Sequence, residues 1–120
     1  MVSRYNKLLA DWPEFTLPEL PDYECQVSWY IYAPIINLDA AKMDRDKFIE
    51  HMKEHNIGIG YHHHAVHLYT YYKNNFGFKK GDFPHAETIS DRILSLPLFT
   101  DMTIEDQDRV INAMKKVFRK

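Results

Sequence analysis

One cysteine, Cys25, stands alone among 120 residues. No disulfide framework can close within the chain, which agrees with a reducing compartment. A nucleophilic role for Cys25 needs electropositive neighbours to hold a thiolate, and its setting, "LPDYECQ", carries acids instead. No apolar run approaches the ~18 residues of a membrane span. The N-terminus "MVSRYNKLLADW" has no apolar signal core. These absences point to a cytoplasmic chain with no membrane partner. Formal net charge is −2 and no basic stripe runs along the sequence, so nucleic acid is excluded as an expected partner. The local "KKVFRK" sits where a helix C-terminus favours cations in any case. No internal repeat or low-complexity segment is present.

What is present is a chain with 45% apolar and 27% charged residues, the balance of a soluble domain large enough for one core. Tyr5, Leu8, Leu9 and Trp12 recur at helical spacing, and Pro13 ends that helix. "PEFTLPELPDYE" carries three prolines and reads as an extended connector. "VSWYIYAPII" is dense in β-branched and aromatic residues and reads as a buried strand with Pro34 at its end or edge. "INLDAAKM" reads as a loop. Asp44 caps a helix that runs to about Asn56, with Phe48, Ile49 and Met52 inward. "IGIGYHHH" reads as a second strand, "LYTYYKNNFG" as a short helix stopped by Gly77, and Phe83 to Ser95 as a helix with Pro84 in its first turn. "LPLF" is a short extended piece. Thr103 and Asp106 have capping-box spacing before a helix to Phe118, lined by Val110, Ile111, Met114 and Val117.

The densest chemistry lies in "GIGYHHHAVHLYTYY", Gly58 to Tyr72, with four histidines and four tyrosines. Zinc takes nitrogen ligands in a tetrahedron. On a strand His62 and His64 share one face while His63 points away, leaving His62, His64 and His67 as a three-ligand set without a fourth member. "HMKEH", with His51, Glu54 and His55, matches the inverted zinc-protease pattern, but no downstream glutamate ligand stands out and the helix flank is heavily charged. A third reading makes the segment the wall of a binding cleft, where imidazoles and phenols bond a polar ligand or relay protons. The plain alternative is a set of half-buried aromatics. The residues alone do not separate these last two.

Several segments, in order, resemble the C-terminal domain of the DegT/DnrJ/StrS sugar aminotransferases. "RYNKLLADWPEFTLPELPD" resembles that family's Arg-Tyr helix and proline-rich connector. "SWYIYAP" resembles its aromatic strand. "DRDKFIEHMKEHNIGIGYHHHAVHLYTYY" resembles its helix followed by a glycine–histidine–tyrosine segment. "FPHAETISDRILSLPLFTDMTIEDQDRVINAM" carries Glu87, Ser90, Arg92, Leu96, Pro97, Leu98 and Met102 in register with the family. His63 stands where the family often has Tyr or Phe, Ala65 where Pro is common, and Thr100 where Pro is usual. These departures bear on which sugar is bound.

The resemblance implies an α+β fold, a small antiparallel or mixed sheet of two to four strands packed by helices, forming a single domain over residues 1–120. It implies pyridoxal phosphate (PLP) as cofactor of the full-length enzyme and a nucleotide-sugar substrate in surface-polysaccharide biosynthesis. It implies substrate-binding roles for His62, His63, His67 and Tyr71, with His62 approaching the pocket and His67 and Tyr71 behind it. No catalytic residue and no metal site is expected. The motifs for the Schiff-base lysine, the pyridine partner and the phosphate cradle are absent, so the large domain is expected to lie outside this chain and the chain alone to be inactive. A stand-alone remnant acting in oligomerisation or partner binding is the rival reading. With 17 aromatic residues and few visible strands, Tyr5, Trp12, Trp29 and Tyr32 are expected to leave apolar surface exposed and to drive a homo-oligomer.

Overall fold

The computed structural model describes residues 1–62 and 64–119. Helix α1, Val2–Leu9, buries Tyr5 and Leu9, one turn apart, and leads through Pro13 into β1, Phe15–Thr16. β2, Ile35–Ile36, pairs antiparallel with β1. Then come the short helix α2, Leu38–Ala41, and α3, Arg45–Glu54. β3, Gly60–Tyr61, leads through a single 3-10 turn, Val66–Leu68, to α4, Thr70–Phe76. α5, Pro84–Arg92, runs directly into β4, Leu94–Ser95, and α6, Ile104–Val117, closes the chain. No helix among the described residues is long and apolar enough to cross a membrane.

The fold is α+β. β1 pairs with β2 and β3 with β4, both antiparallel. Isolated bridges Tyr32 to Leu96 and Ile35 to Ile93 join the two ladders side by side. Two-residue strands are far too short to hold a sheet alone. They persist because helices cover them: α1, α3 and α6 pack Tyr5, Leu9, Phe48, Met52, Val110 and Met114 against Tyr32, Ile36 and Leu94 in one core. Phe118 completes it, stacked on Phe48 at 5.4 Å and edge-on to Phe15 at 5.8 Å. Arg4 ties α1 to α6 by donating to Gln107 Oε1 at 3.1 Å and to Asp108 at 2.6 Å.

Several expectations fail, among them the helix read over Phe83 to Ser95, which ends at Arg92 and gives way to β4. The strand read over "VSWYIYAPII" is paired only from Tyr32 onward. Residues 27–30 run beside no other strand among the described residues, and Tyr30 is 85% exposed. Composition marks a residue's comfort in a sheet, whereas a strand needs a partner. Pro34 lies within the stretch, is buried, and accepts from Leu94 N–H through its carbonyl at 3.2 Å. "INLDAAKM", read as a loop, contains α2, because the Asn37 side chain accepts from Asp39 and Ala40 N–H and Lys42 takes φ 55° to end it. The surplus apolar surface also lies elsewhere than expected. Tyr5 and Tyr32 are fully buried, and Trp12 and Trp29 are partly buried against the core.

Candidate functional site

The histidine-rich segment crosses one face of α5. It starts at β3, where Gly60 faces Ser95 so closely that a Cβ would come 2.5 Å from Ser95 Oγ. It continues through the loop to Ala65, whose N–H donates to Ser90 Oγ on α5 at 2.9 Å. One turn earlier on α5, Glu87 Oε1 accepts from His67 Nε2 at 2.9 Å. A carboxylate only accepts, so Nε2 of that imidazole is the donor. The same oxygen accepts from Gly81 N–H at 2.8 Å and Phe83 N–H at 3.4 Å. The hydrogen bond from His67, followed by those from the Gly81 and Phe83 amides, holds the Glu87 carboxyl below its usual range.

His62 is half-buried, and its Nε2 is buried with no hydrogen-bond partner among the described residues. With His64, Ala65, Ile89, Ser90 and Ile93 it lines a cavity of about 440 Å³. His67 lines a different, apolar cavity of about 350 Å³ with Tyr72, Phe78 and Phe83; Val66 and Ala86 border both. Tyr71 is 65% exposed and packs edge-on to Tyr72 at 5.4 Å. The residues predicted for the site therefore fall on two sides of Val66. His62 is on one side, and His67 and Tyr71 are on the other. His63 lies outside the described residues.

Among the described residues no three His, Cys, Asp or Glu side chains gather to hold an ion. His67 is turned to Glu87, and His51 Nδ1 meets Glu54 Oε2 at 3.3 Å on an exposed helix flank. Cys25 is exposed in the connector.

Sequence reasoning passed over Arg45. Its guanidinium is buried, donates from Nη1 to the Ser90 carbonyl at 2.5 Å, and lies 5.2 Å from the centre of the Tyr61 ring. Glu87 and Ser90 were noticed only as motif letters. The signal for their role was their i, i+3 spacing, which puts both on one face of α5.

Fold and site together define a small α+β unit that presents a histidine-bearing loop across a helix face. Residues 1–115 match the family model of the DegT/DnrJ/EryC1/StrS aminotransferase family, and the chain belongs to that family. An uncharacterized protein of Methanocaldococcus jannaschii, MJ1066, is 46% identical over 90 residues, which is 75% of this chain and 23% of that protein. The spore coat polysaccharide biosynthesis protein SpsC of Bacillus subtilis is 32% identical over 120 residues, 99% of this chain and 31% of SpsC. Among solved structures, Helicobacter pylori PseC, an aminotransferase involved in the biosynthesis of pseudoaminic acid, superposes with a TM-score of 0.84 at 19% identity over 98% of this chain and 31% of its own. NtdA from Bacillus subtilis, solved with bound cofactor PMP, superposes with a TM-score of 0.74 at 19% identity, over 99% of this chain and 27% of NtdA. At such identities these structures establish the fold alone. The chain spans less than a third of the length of each of these proteins.

Proposed function

We propose that residues 1–120 act as the C-terminal domain of a PLP-dependent nucleotide-sugar aminotransferase of surface-polysaccharide biosynthesis, closing one side of the substrate cleft. The large domain is supplied outside this chain, and the working enzyme is a cytoplasmic homo-oligomer. The observation that carries the reading is the His62 imidazole. A buried nitrogen left without a partner is costly, and this one belongs to a residue that lines a cavity. A sugar hydroxyl or phosphate oxygen entering that cavity would supply this hydrogen bond once the ring turned its Nε2 toward it. The name of SpsC, which concerns polysaccharide biosynthesis, supports the substrate class.

PMP in NtdA supports the cofactor class. When bound, PLP serves as the electron sink for amino transfer, and it requires an enclosed lysine at the reacting centre. Every described lysine of this chain is exposed. The residues present do not fit the task of holding PLP, and the reading assigns the cofactor to groups beyond this chain.

The test is made in the full-length enzyme. His62→Ala is expected to lower turnover about fivefold to about 150-fold, the loss of one polar contact worth ~1–3 kcal/mol. His51→Ala is expected to leave turnover unchanged. Normal turnover in His62→Ala, with loss in His51→Ala, would overturn the assignment.

A further inference from the structure

The geometry points to Arg45 and Ser90 as positioning residues that set where His62 sits. The inference deepens the proposed role of His62 and rests on it for its functional meaning. Residues 62, 64 and 65 carry no regular secondary structure. The place of an imidazole on such a loop depends on how the loop's two ends are held.

At the first end Tyr61 pairs with Leu94 across the β3–β4 ladder, and its ring lies under the Arg45 guanidinium at 5.2 Å. At the second end Ala65 N–H is bonded to Ser90 Oγ at 2.9 Å, in a buried setting. The two anchors are not independent. Arg45 Nη1 donates to the backbone carbonyl of the same Ser90 at 2.5 Å, also buried. Arg45 and Ser90 thus clamp both ends of the His62 loop, and the two members of the clamp are bonded to each other.

Simple helix stability does not account for Arg45. It is the first residue of α3, the end of a helix dipole that disfavours a cation. Its charged group is 6% exposed, and burying an arginine is unfavourable without good partners. Its partner in its own helix is the neighbouring Asp46, whose Oδ1 accepts from Nε at 2.9 Å and which is itself 76% exposed. What the placement gains lies across the domain. Ser90 sits in the last turn of α5, where carbonyls lack helical partners and cations are favoured. The aromatic face of Tyr61 takes the remaining side.

The experiment uses the 120-residue chain in solution, with no substrate, and follows the His62 ring and backbone amides by nuclear magnetic resonance. Ser90→Ala keeps the helix and deletes only the hydroxyl acceptor. The Ala65 amide is expected to exchange about tenfold faster, as follows from loss of one ordinary hydrogen bond. The His62 imidazole resonances are expected to shift and broaden, while core amides around Tyr5 and Tyr32 keep their protection. Arg45→Gln is expected to move the same His62 signals from the Tyr61 end. If Arg45→Gln fails to fold, Ser90→Ala alone decides. Faster exchange at Ala65 with an unmoved His62 ring would overturn the inference and leave Ser90 a merely structural residue. Failure of the functional reading has a separate signature. The ring would then respond to Ser90→Ala, while His62→Ala leaves the full-length enzyme active.

Discussion

Tyr5 and Tyr32 stack ring on ring with centroids 4.9 Å apart, and each hydroxyl has one acceptor, the Pro97 carbonyl at 2.9 Å and Asn6 Oδ1 at 2.7 Å. Burial disfavours the phenolate at both, raising Tyr5 strongly and pushing Tyr32 up to about 12. A phenol raised in the folded state stabilises the fold fully below its unfolded value of ~10, and that contribution is lost as pH rises through the folded value. Stability is therefore expected to fall above pH ~10. Two of the eight tyrosines should ionise late by tyrosinate absorbance. Tyr32→Phe should remove one late step; an unchanged titration would contradict the assignment. Glu87 works in the opposite direction. Its carboxyl is held low, so what it contributes is present above ~4.3, the ordinary glutamate value, and is lost as pH falls through the folded value. Amide protection at Gly81 and Phe83, taken relative to intrinsic exchange, should decay on that acid side, and in Glu87→Gln that decay of protection should vanish.

Among the elements, those legible in the sequence carried their own punctuation. Asp44 caps α3 by accepting from Lys47 N–H at 2.8 Å, Gly77 ends α4 at φ 70°, and Thr103 with Asp106 forms the reciprocal box that starts α6. Such signals are local, so a single sequence carries them. Of the strands, Ile35–Ile36 and Gly60–Tyr61 fall within stretches the sequence marks as extended, but their bounds were not legible, because what makes Ile35–Ile36 a strand is Phe15 on one side and Ile93 on the other. The site divides the same way. A run of histidines announced itself, but the clamp of Arg45, Ser90 and Tyr61 joins residues 16 to 45 positions apart, and nothing in the spacing reports that. Cap chemistry also gives a direct test. Thr103→Ala should cost about 1 kcal/mol of stability, read as a lower midpoint of urea unfolding with an unchanged slope. A midpoint that did not move would mean that α6 is nucleated by its packing alone.

Taken whole, the molecule has more surface than a self-contained domain of its mass. Its accessible area is 8394 Å², whereas a compact monomer of this size exposes roughly 6,800 Å². Its radius of gyration is 16.0 Å against ~13.6 Å for a compact chain of this length. The excess, about 1,600 Å², is about twice what one partner contributes to an ordinary protein–protein interface. Part of it is apolar. On and around α4, Tyr71, Tyr72, Phe76, Phe78 and Phe83 pack mainly on one another, with successive ring centroids 5.4–6.0 Å apart, and none of the α4 residues is buried. Burial of apolar area is worth ~25 cal/mol per Å², so a few hundred Å² supplies several kcal/mol of gross drive toward a partner. Lost translational and rotational freedom offsets much of it. The isolated chain is therefore expected to associate with rising concentration in sedimentation experiments and to bind an apolar-surface dye. Replacing Tyr71 and Phe76 together by serine should weaken both effects without unfolding the core, since neither residue contributes to it. A monomer at every concentration, with no dye bound, would show that this aromatic face is stable in water by its own stacking and that the extra surface serves no contact.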